Sequence, residues 1–346
     1  MIRMGIIGCG AMGSNHARYL NELTSDGMII SAAVDIDRSK AEKTVKYLKN
    51  AKASTDLRSV LNEMDAVLIS LPHNLHHSVG MECLKAGKHV LMEKPLAMTE
   101  KECLELIETA KEYNLILMTA YCVRYHPLVV RLKELLDAQA YGKLFNISVW
   151  TEQYTNWTLH FPPESRRGSA AVLGGGQLFS HGCHYIDILL WYLGAPEKGF
   201  HLGTNYGTPW MEKEGTSHVA IKFENGTMGY HFGTWGAKGS KLCYSIHAHC
   251  TEGMLEADIT NGKLRLITVG KGGWRRQKKT LLMEYPRAEF KKYHMLEIKH
   301  FLDCVKTGRK PLTDARSSLQ SLRVIWRLYE AEQLGVVADL RGLGLN

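Results

Sequence analysis

Met4-Gly5-Ile6-Ile7-Gly8-Cys9-Gly10-Ala11-Met12-Gly13 is a short apolar run that feeds straight into Gly-x-Gly-x-x-Gly. The glycine pattern alone is weak evidence, and its flanks give it meaning. A strand precedes it, a helix follows over Ser14 to Leu23, and a second strand runs from Met28 to Val34 and ends at Asp35. That order is the one a dinucleotide-binding turn requires. Gly8 allows the tight turn, Gly10 the close approach of a pyrophosphate, and Gly13 the packing of helix on strand. The helix start, at Ala11 and Met12, offers N–H groups and partial positive charge to the phosphates. The bland alternative is a glycine-rich turn with no ligand. Asp35, with Ile36 beside it, stands where an acid accepts from the adenosine ribose hydroxyls. A carboxylate there repels a 2′-phosphate, so NAD is favoured over NADP. Arg38, three residues on, suits stacking on adenine or meeting a phosphate, which tempers that preference.

Working outward, the pattern repeats. Asp65 to Leu71 reads as a strand, Leu75 to Ala86 as a helix, His89 to Glu93 as a strand, Thr99 to Tyr113 as a helix and Leu115 to Thr119 as a strand. Thr99 with Glu102 three residues later is a capping box. Strands alternating with helices over short connections predict a doubly wound parallel sheet. The loop Leu71-Pro72-His73-Asn74-Leu75-His76 leaves the carboxyl end of one strand, so Leu71, Pro72, His73 and His76 are candidate cofactor contacts. His76 suits a helix start or a cofactor contact better than a base. Glu93-Lys94-Pro95 closes the apolar run of the next strand. Pro95 stops that strand and restricts Lys94 to extended geometry, so the lysine amine is aimed at a ligand, with Glu93 on the cofactor side. The bland alternative is a lysine opening a loop.

After Tyr121 the rhythm changes, which sets domains at 1–122 and 123–346. Leu128 to Ala138 is a helix, and strands follow at Leu144 to Tyr154, His218 to Phe223, Thr227 to Trp235, Leu242 to His249, Gly253 to Asp258 and Lys263 to Val269. Turns at Glu224-Asn225-Gly226 and Asn261-Gly262 separate several of them. The fold class is therefore α/β: a Rossmann domain, then an α/β domain with a large, mostly antiparallel open sheet. An open face suits a homodimer or homotetramer. Two helices, His294 to Thr307 and Asp314 to Leu334, close the chain and pack back toward the first domain. Trp210, Trp235 and the aromatics near Trp157 and Phe161 suit either a sugar pocket or a packed core.

One helix stands apart. Gly174-Gly175-Gly176 precedes a helix from Gln177 to Trp191 in which Ser180, His184, Asp187 and Trp191 share one face. Polar groups on an apolar helix are costly to bury without partners, so His184 is either a satisfied core histidine or a catalytic acid/base. His181 and His184 have no further metal ligands identifiable beside them, so no metal is expected.

Composition narrows the class. At 346 residues the chain suits two domains, and 45% hydrophobic with 23% charged residues is ordinary for a soluble globular protein. No apolar run has the length of a membrane span, and a strand begins at once where a signal peptide would lie. The eight cysteines are scattered with no Cys-x-x-Cys pair, as in a cytoplasmic protein. The net charge of +8 is dispersed apart from Lys271 to Lys279, which reads as a polar hairpin, so a nucleic-acid role is not expected.

With these residues in hand, the chain from Met4 to about Leu340 resembles the Gfo/Idh/MocA oxidoreductases. The resemblance is carried by Gly8-x-Gly10-x-x-Gly13, Glu93-Lys94-Pro95, Arg124-Tyr125-x-Pro127, the triple glycine before Gly182-x-His184-x-x-Asp187, and Lys310-Pro311-Leu312-Thr313. It implies a nicotinamide cofactor, a carbohydrate or polyol substrate, and Lys94 with His184 as the catalytic pair. Asp187 would orient the imidazole or substrate hydroxyls. Arg124, Tyr154, Trp157, Ser180 and His181 are the further candidate substrate contacts. One departure stands out: many members carry an aspartate where this chain has Ser180, followed here by His181. Serine cannot stabilise an imidazolium as a carboxylate does.

Oxidising a secondary alcohol removes a hydroxyl proton as hydride leaves the same carbon, and an imidazole starts nearest the pKa that suits this. His184 then moves the proton while Lys94 polarises the oxygen. Two alternatives use the same parts. One is a redox-neutral NAD-dependent glycosidase that oxidises, eliminates, hydrates and re-reduces, motivated by His181 and by His160 and His231. The other is a ligand-binding protein that kept the fold without the chemistry.

Overall fold

The computed structural model describes residues 1–23, 27–155, 168–270, 276–286 and 293–345. It divides into two compact units, Met1–Cys122 with Lys291–Leu319, and Val123–Phe290 with Gln320–Asn346.

The first unit is a six-stranded sheet in the order β3-β2-β1-β4-β5-β6. Its strands are β1 (Ile2–Ile7), β2 (Met28–Val34), β3 (Lys52–Ser54), β4 (Ala66–Ile69), β5 (His89–Met92) and β6 (Leu117–Thr119). Every pairing among them is parallel. The strand order reverses between β1 and β4, and at such a switch point the loops leaving the carboxyl ends part to form a crevice. The central strands are short apolar runs buried on both faces, as β4 shows from Ala66 to Ile69, whereas the edge strand β3, Lys52–Ser54, is partly exposed and is not among the strands expected from sequence. Helices Ala11–Glu22, Arg38–Val45, His76–Lys85 and Glu100–Glu112 connect them. The capping box at Thr99 and Glu102 is present with both of its hydrogen bonds.

The stretch 291–319, read from sequence with the second domain, groups with this unit. Its attachments are local and physical. The Thr119 amide donates to the Thr313 carbonyl at 2.9 Å, and the His294 ring stacks on Tyr19 at 5.7 Å.

The second unit is built on a nine-stranded sheet, ordered β14-β13-β12-β11-β7-β10-β9-β8-β15. The strands are β7 (Leu144–Glu152), β8 (Pro196–Thr204), β9 (Thr216–Phe223), β10 (Met228–Thr234), β11 (Ser245–Cys250), β12 (Gly253–Asp258), β13 (Lys263–Val269), β14 (Gln277–Glu284) and β15 (Ala338–Asp339). All pairs are antiparallel except β7 with β10. Glycines at positive φ make the two turns expected from sequence, Gly226 at 85° and Gly262 at 68°. The basic stretch after Val269 returns as β14, paired to β13, while 271–275 lie outside the described residues.

Alternation along β7 buries Ile147, Val149 and Thr151 on one face. On the other, Trp150 meets Tyr230 and Phe232 at 5.5 and 5.7 Å, all half-buried. Trp210 and Trp235, left open between pocket and core, pack with Leu173 and Met211 in one apolar cluster.

Candidate active site

The glycine turn of the first unit follows the expected division of labour. Gly8 sits at φ +93°, and a Cβ there would meet the Ser70 carbonyl oxygen at 2.2 Å. A Cβ at Gly13 would meet the Gly8 carbonyl oxygen at 1.8 Å, so helix and turn touch backbone to backbone. At Gly10 a Cβ would meet nothing within 4 Å. Space therefore opens at the one glycine where a ligand has to approach. The helix Ala11–Glu22 starts there with no side-chain cap, leaving its first N–H groups without the partner a cap would supply. The Asp35 carboxylate is fixed by amides on both oxygens, from Cys9 at 2.8 Å and Asp37 at 2.9 Å, which ties the end of β2 to the glycine turn. Ile36 is fully exposed, and exposed Arg38 lies 2.9 Å from Glu42. These features fit a dinucleotide: open space for a pyrophosphate, oriented donors for its charge, and a carboxylate for a ribose.

At the end of β5, Glu93 is buried and its Oε1 lies 2.7 Å from His16 Nε2. Burial alone would raise its pKa, but the His16 hydrogen bond and charge, with Lys94 and His294 nearby, outweigh that and hold it well below the carboxylate range. Its Oε2 accepts from the Lys94 amide at 3.2 Å. Glu93 is expected among the cofactor contacts, yet its carboxylate is spent inside the protein, joining β5 to the helix after the glycine turn. Lys94 itself is half-buried.

His76 also departs from expectation. Its ring is fully buried, with Nδ1 2.7 Å from the Pro95 carbonyl and Nε2 3.0 Å from the Leu71 carbonyl. It has no surface left for a cofactor and instead braces the loop after β4 against the loop that carries Lys94. Burial pushes its pKa down while the two carbonyls pull it up. Leu71 and His73 are half-buried beside it and Pro72 is exposed.

In the second unit the glycine-led helix is not continuous. Leu178–Gly182 forms a π-helical turn, followed by the α-helix Cys183–Leu193. The π turn holds Ser180 and His181, and the α-helix after it holds His184, Asp187 and Trp191. Ser180 and His184 are buried and His181 half-buried, with the two imidazole rings 6.0 Å apart. His181 also lies 5.4 Å from the Tyr185 ring and 5.9 Å from that of Tyr244. Among the described residues no group of three or more His, Cys, Asp or Glu is arranged to hold a metal ion.

Asp187 and Arg124 are both buried and joined by two bonds of 2.6 Å, from Nε to Oδ2 and from the second guanidinium nitrogen to Oδ1. Ser321 Oγ adds a donor to Oδ1 at 3.2 Å, and the Trp191 ring lies 5.3 Å from the guanidinium carbon. The candidate substrate contact Arg124 and the candidate catalytic residue Asp187 are thus brought together in one buried pair that ties the helix of His184 to the turn Cys122–Tyr125. Tyr154 is exposed, bridging Gly236, while Trp157, His160 and Phe161 lie outside the described residues. His231 is buried, stacks on Tyr185 at 5.3 Å, and lies 3.2 Å from Thr151 Oγ1. Burial, helped by His201 and His218, pushes its pKa down to about 3.

Four functional neighbours escape sequence reasoning. His16 is one, and its only signal is a polar side chain on the inward face of the glycine-turn helix. Tyr244 is another: its backbone is left-handed at φ +53°, a strained state for a bulky residue, and its hydroxyl accepts from the Gln153 amide. Glu214 and Tyr329 hold the start of the His184 helix from distant points in the chain.

A parallel sheet with an open glycine turn at its switch point, beside a lysine-ended strand, defines a dinucleotide-binding oxidoreductase fold. Residues 2–121 match the oxidoreductase family with an NAD-binding Rossmann fold, and residues 129–256 match the GFO/IDH/MocA C-terminal domain. The chain belongs to the GFO/IDH/MocA oxidoreductase family. It is 27% identical over 232 residues to inositol 2-dehydrogenase 2 of Saccharopolyspora erythraea, covering 66% of this chain and 65% of that one. It is 26% identical over 319 residues to scyllo-inositol 2-dehydrogenase (NAD(+)) of Bacillus subtilis, covering 90% and 88%. Among solved structures, levoglucosan dehydrogenase with NADH and L-sorbose superimposes with a TM-score of 0.86 at 19% identity, covering 98% of each chain. The WlbA dehydrogenase of Bordetella pertussis, in complex with NADH and UDP-GlcNAcA, gives 0.79 at 22%, covering 98% and 97%. These structural likenesses establish the fold.

Proposed function

We propose that this protein is an NAD-dependent oxidoreductase acting on a hydroxyl-bearing carbon of a sugar, sugar derivative or polyol. The observation that carries the reading is the pairing of open space at Gly10 with a fixed carboxylate at Asp35. The relatives that act on inositols, or that hold L-sorbose or UDP-GlcNAcA, support the substrate class. NAD is favoured over NADP because Asp35 offers negative charge where a 2′-phosphate would lie, and Arg38 is already drawn to Glu42.

When bound, the nicotinamide supplies the hydride acceptor. In this reading, as the family resemblance implies, His184 is the proton-transfer residue and Lys94 the cation that stabilises developing negative charge. The Arg124–Asp187 pair keeps the His184 helix in place, and the His16–Glu93 pair does the same for the strand end at Lys94. His181, with Tyr244 beside it, is a proposed substrate contact where many relatives carry an aspartate one residue earlier. Lys94→Ala and His184→Ala test the assignment. Each is expected to lose about 10²-fold or more in turnover while binding NAD normally, and wild-type turnover in either would remove that residue from the mechanism.

The redox-neutral glycosidase route needs a further acid/base. His231, one of its motivating residues, is buried and held neutral, so it does not supply one. The half-buried aromatic face around Trp150, Tyr230 and Phe232 supports self-association into a dimer or tetramer. Light scattering of a Trp150→Lys variant against wild type tests it, and an unchanged mass would rule that face out. A cytoplasmic location, resting on the scattered cysteines, is part of the same proposal and is tested by cell fractionation.

A further inference from the structure

The helix bearing His184 begins with glycines, which bring no capping side chain of their own. Four consecutive amides at that start are nevertheless held, all by two residues. The Gln177 amide donates to the Glu214 backbone carbonyl at 2.7 Å, and the Leu178 amide donates to Glu214 Oε1 at 3.1 Å. The Gly176 and Phe179 amides point to Tyr329 Oη at 3.3 and 3.2 Å, and Tyr329 in turn donates to Glu214 Oε1 at 2.6 Å. Helix starts normally leave such donors to a neighbouring Ser, Thr, Asp or Asn. Here the cap is delivered from a distant loop and a distant helix.

The glycine run is explained by the same contact. A Cβ at Gly176 would lie 2.1 Å from the Glu214 carboxyl, and one at Gly175 would lie 2.6 Å from Phe179 Cβ and 3.3 Å from Tyr329 Oη. A second layer fixes Tyr329. Its ring lies edge-on to His201 at 5.2 Å, and His201 bridges Glu332 at 2.7 Å and Ser217 at 3.0 Å. Glu332 also accepts from the Gly203 amide at 2.7 Å.

We infer that Glu214 and Tyr329 are positioning residues for the reaction: they clamp the start of the π turn and thereby set where His181 and His184 face. The π turn is the element such a clamp can regulate, because a spiral with one wide turn has a competing regular α form. Releasing the four amides lets the turn relax toward that form and rotates every side chain that follows.

This inference rests on the assignment of His184 as the proton-transfer residue, so the test reads geometry and turnover separately. Glu214→Ala, Glu214→Gln, Tyr329→Phe and His184→Ala are each measured for turnover, KM for NAD and amide hydrogen exchange across residues 174–184. Glu214→Ala and Tyr329→Phe are expected to lose tenfold or more in kcat with KM for NAD within twofold, and to exchange those amides much faster. Glu214→Gln keeps an acceptor oxygen and should recover most of both. Wild-type kcat and wild-type exchange in Glu214→Ala and Tyr329→Phe would overturn the clamp. Full activity in His184→Ala would overturn the assignment of the base instead, and the exchange data would still decide whether the clamp exists.

Discussion

Asp187, on the helix that also carries His184, forms a buried, two-pronged ion pair with Arg124 of the turn Cys122–Tyr125, both bonds at 2.6 Å. Breaking a buried pair by removing one partner leaves an uncompensated charge, at a cost of about 3–5 kcal/mol. Arg124→Met and Asp187→Leu should each lose that much in urea denaturation, and the double variant should recover a large part of it. If the double variant lost the sum of the two, the pair would not be acting as a unit.

Gly10 and Gly13 should separate ligand binding from folding. Gly10→Ala adds a methyl group to open space, so thermal stability should hold while NAD affinity falls tenfold or more. Gly13→Ala drives a Cβ to 1.8 Å from a backbone oxygen, so the first unit should be destabilised by several kcal/mol, as for severe overpacking. Calorimetry and NAD titration on the two variants check both halves. Equal NAD affinity in Gly10→Ala and wild type would move the phosphate site away from the turn.

The proposed preference for NAD rests on Asp35. Asp35→Ser removes the negative charge at the proposed ribose site, and the ratio of NADP to NAD turnover should rise tenfold or more. Because Asp35 also accepts from the Cys9 and Asp37 amides, some loss of affinity for NAD should accompany it. An unchanged ratio would show that another residue sets the preference.

His231 should make the protein sensitive to acid. Its folded pKa of about 3 lies below the ordinary value of 6.5 because burial disfavours the charged ring. The unfolded chain therefore binds the proton first. The stability that the neutral ring contributes is complete above the unfolded value and is lost as pH falls toward 3, by up to roughly 4 kcal/mol. In His231→Gln, denaturation measured between pH 7 and 4 should show a flatter slope than wild type. An identical slope would place the acid sensitivity elsewhere.

The fold was legible where local rules dominate. Gly8, Gly10 and Gly13 announce their turn because backbone geometry admits little else, and the apolar strands β1, β2, β4, β5 and β6 follow from burial, while the short, partly exposed edge strand β3 carries no such signal. The strands β7 and β9 to β13 of the second sheet were legible from alternation and from turns at Asn225-Gly226 and Asn261-Gly262, whereas β8, β14 and β15, toward its edges, were not. Of the proposed site, Lys94 and His184 stand out in the sequence by motif. What they lean on does not. Arg124 and Asp187 read as functional because polar residues near a motif look like ligands until their mutual burial is seen. Glu93 and His76 sit beside the same motifs, and the structure shows their side chains bonded inside the first unit. The π turn at Leu178–Gly182 has no sequence period of its own, and the residues bonded to the amides at its start, Glu214 and Tyr329, lie far along the chain.

Redox chemistry on a hydroxyl-bearing substrate with NAD is decided by following cofactor and product together. Purified protein is unfolded to identify any nucleotide it releases, then native protein is offered NAD with free sugars, polyols and glycosides while reduced-nicotinamide absorbance and liberated sugar are followed together. NADH accumulating with a free sugar or polyol, and lost in Lys94→Ala and His184→Ala, is the predicted result. Sugar released from a glycoside with no net NADH would contradict the account.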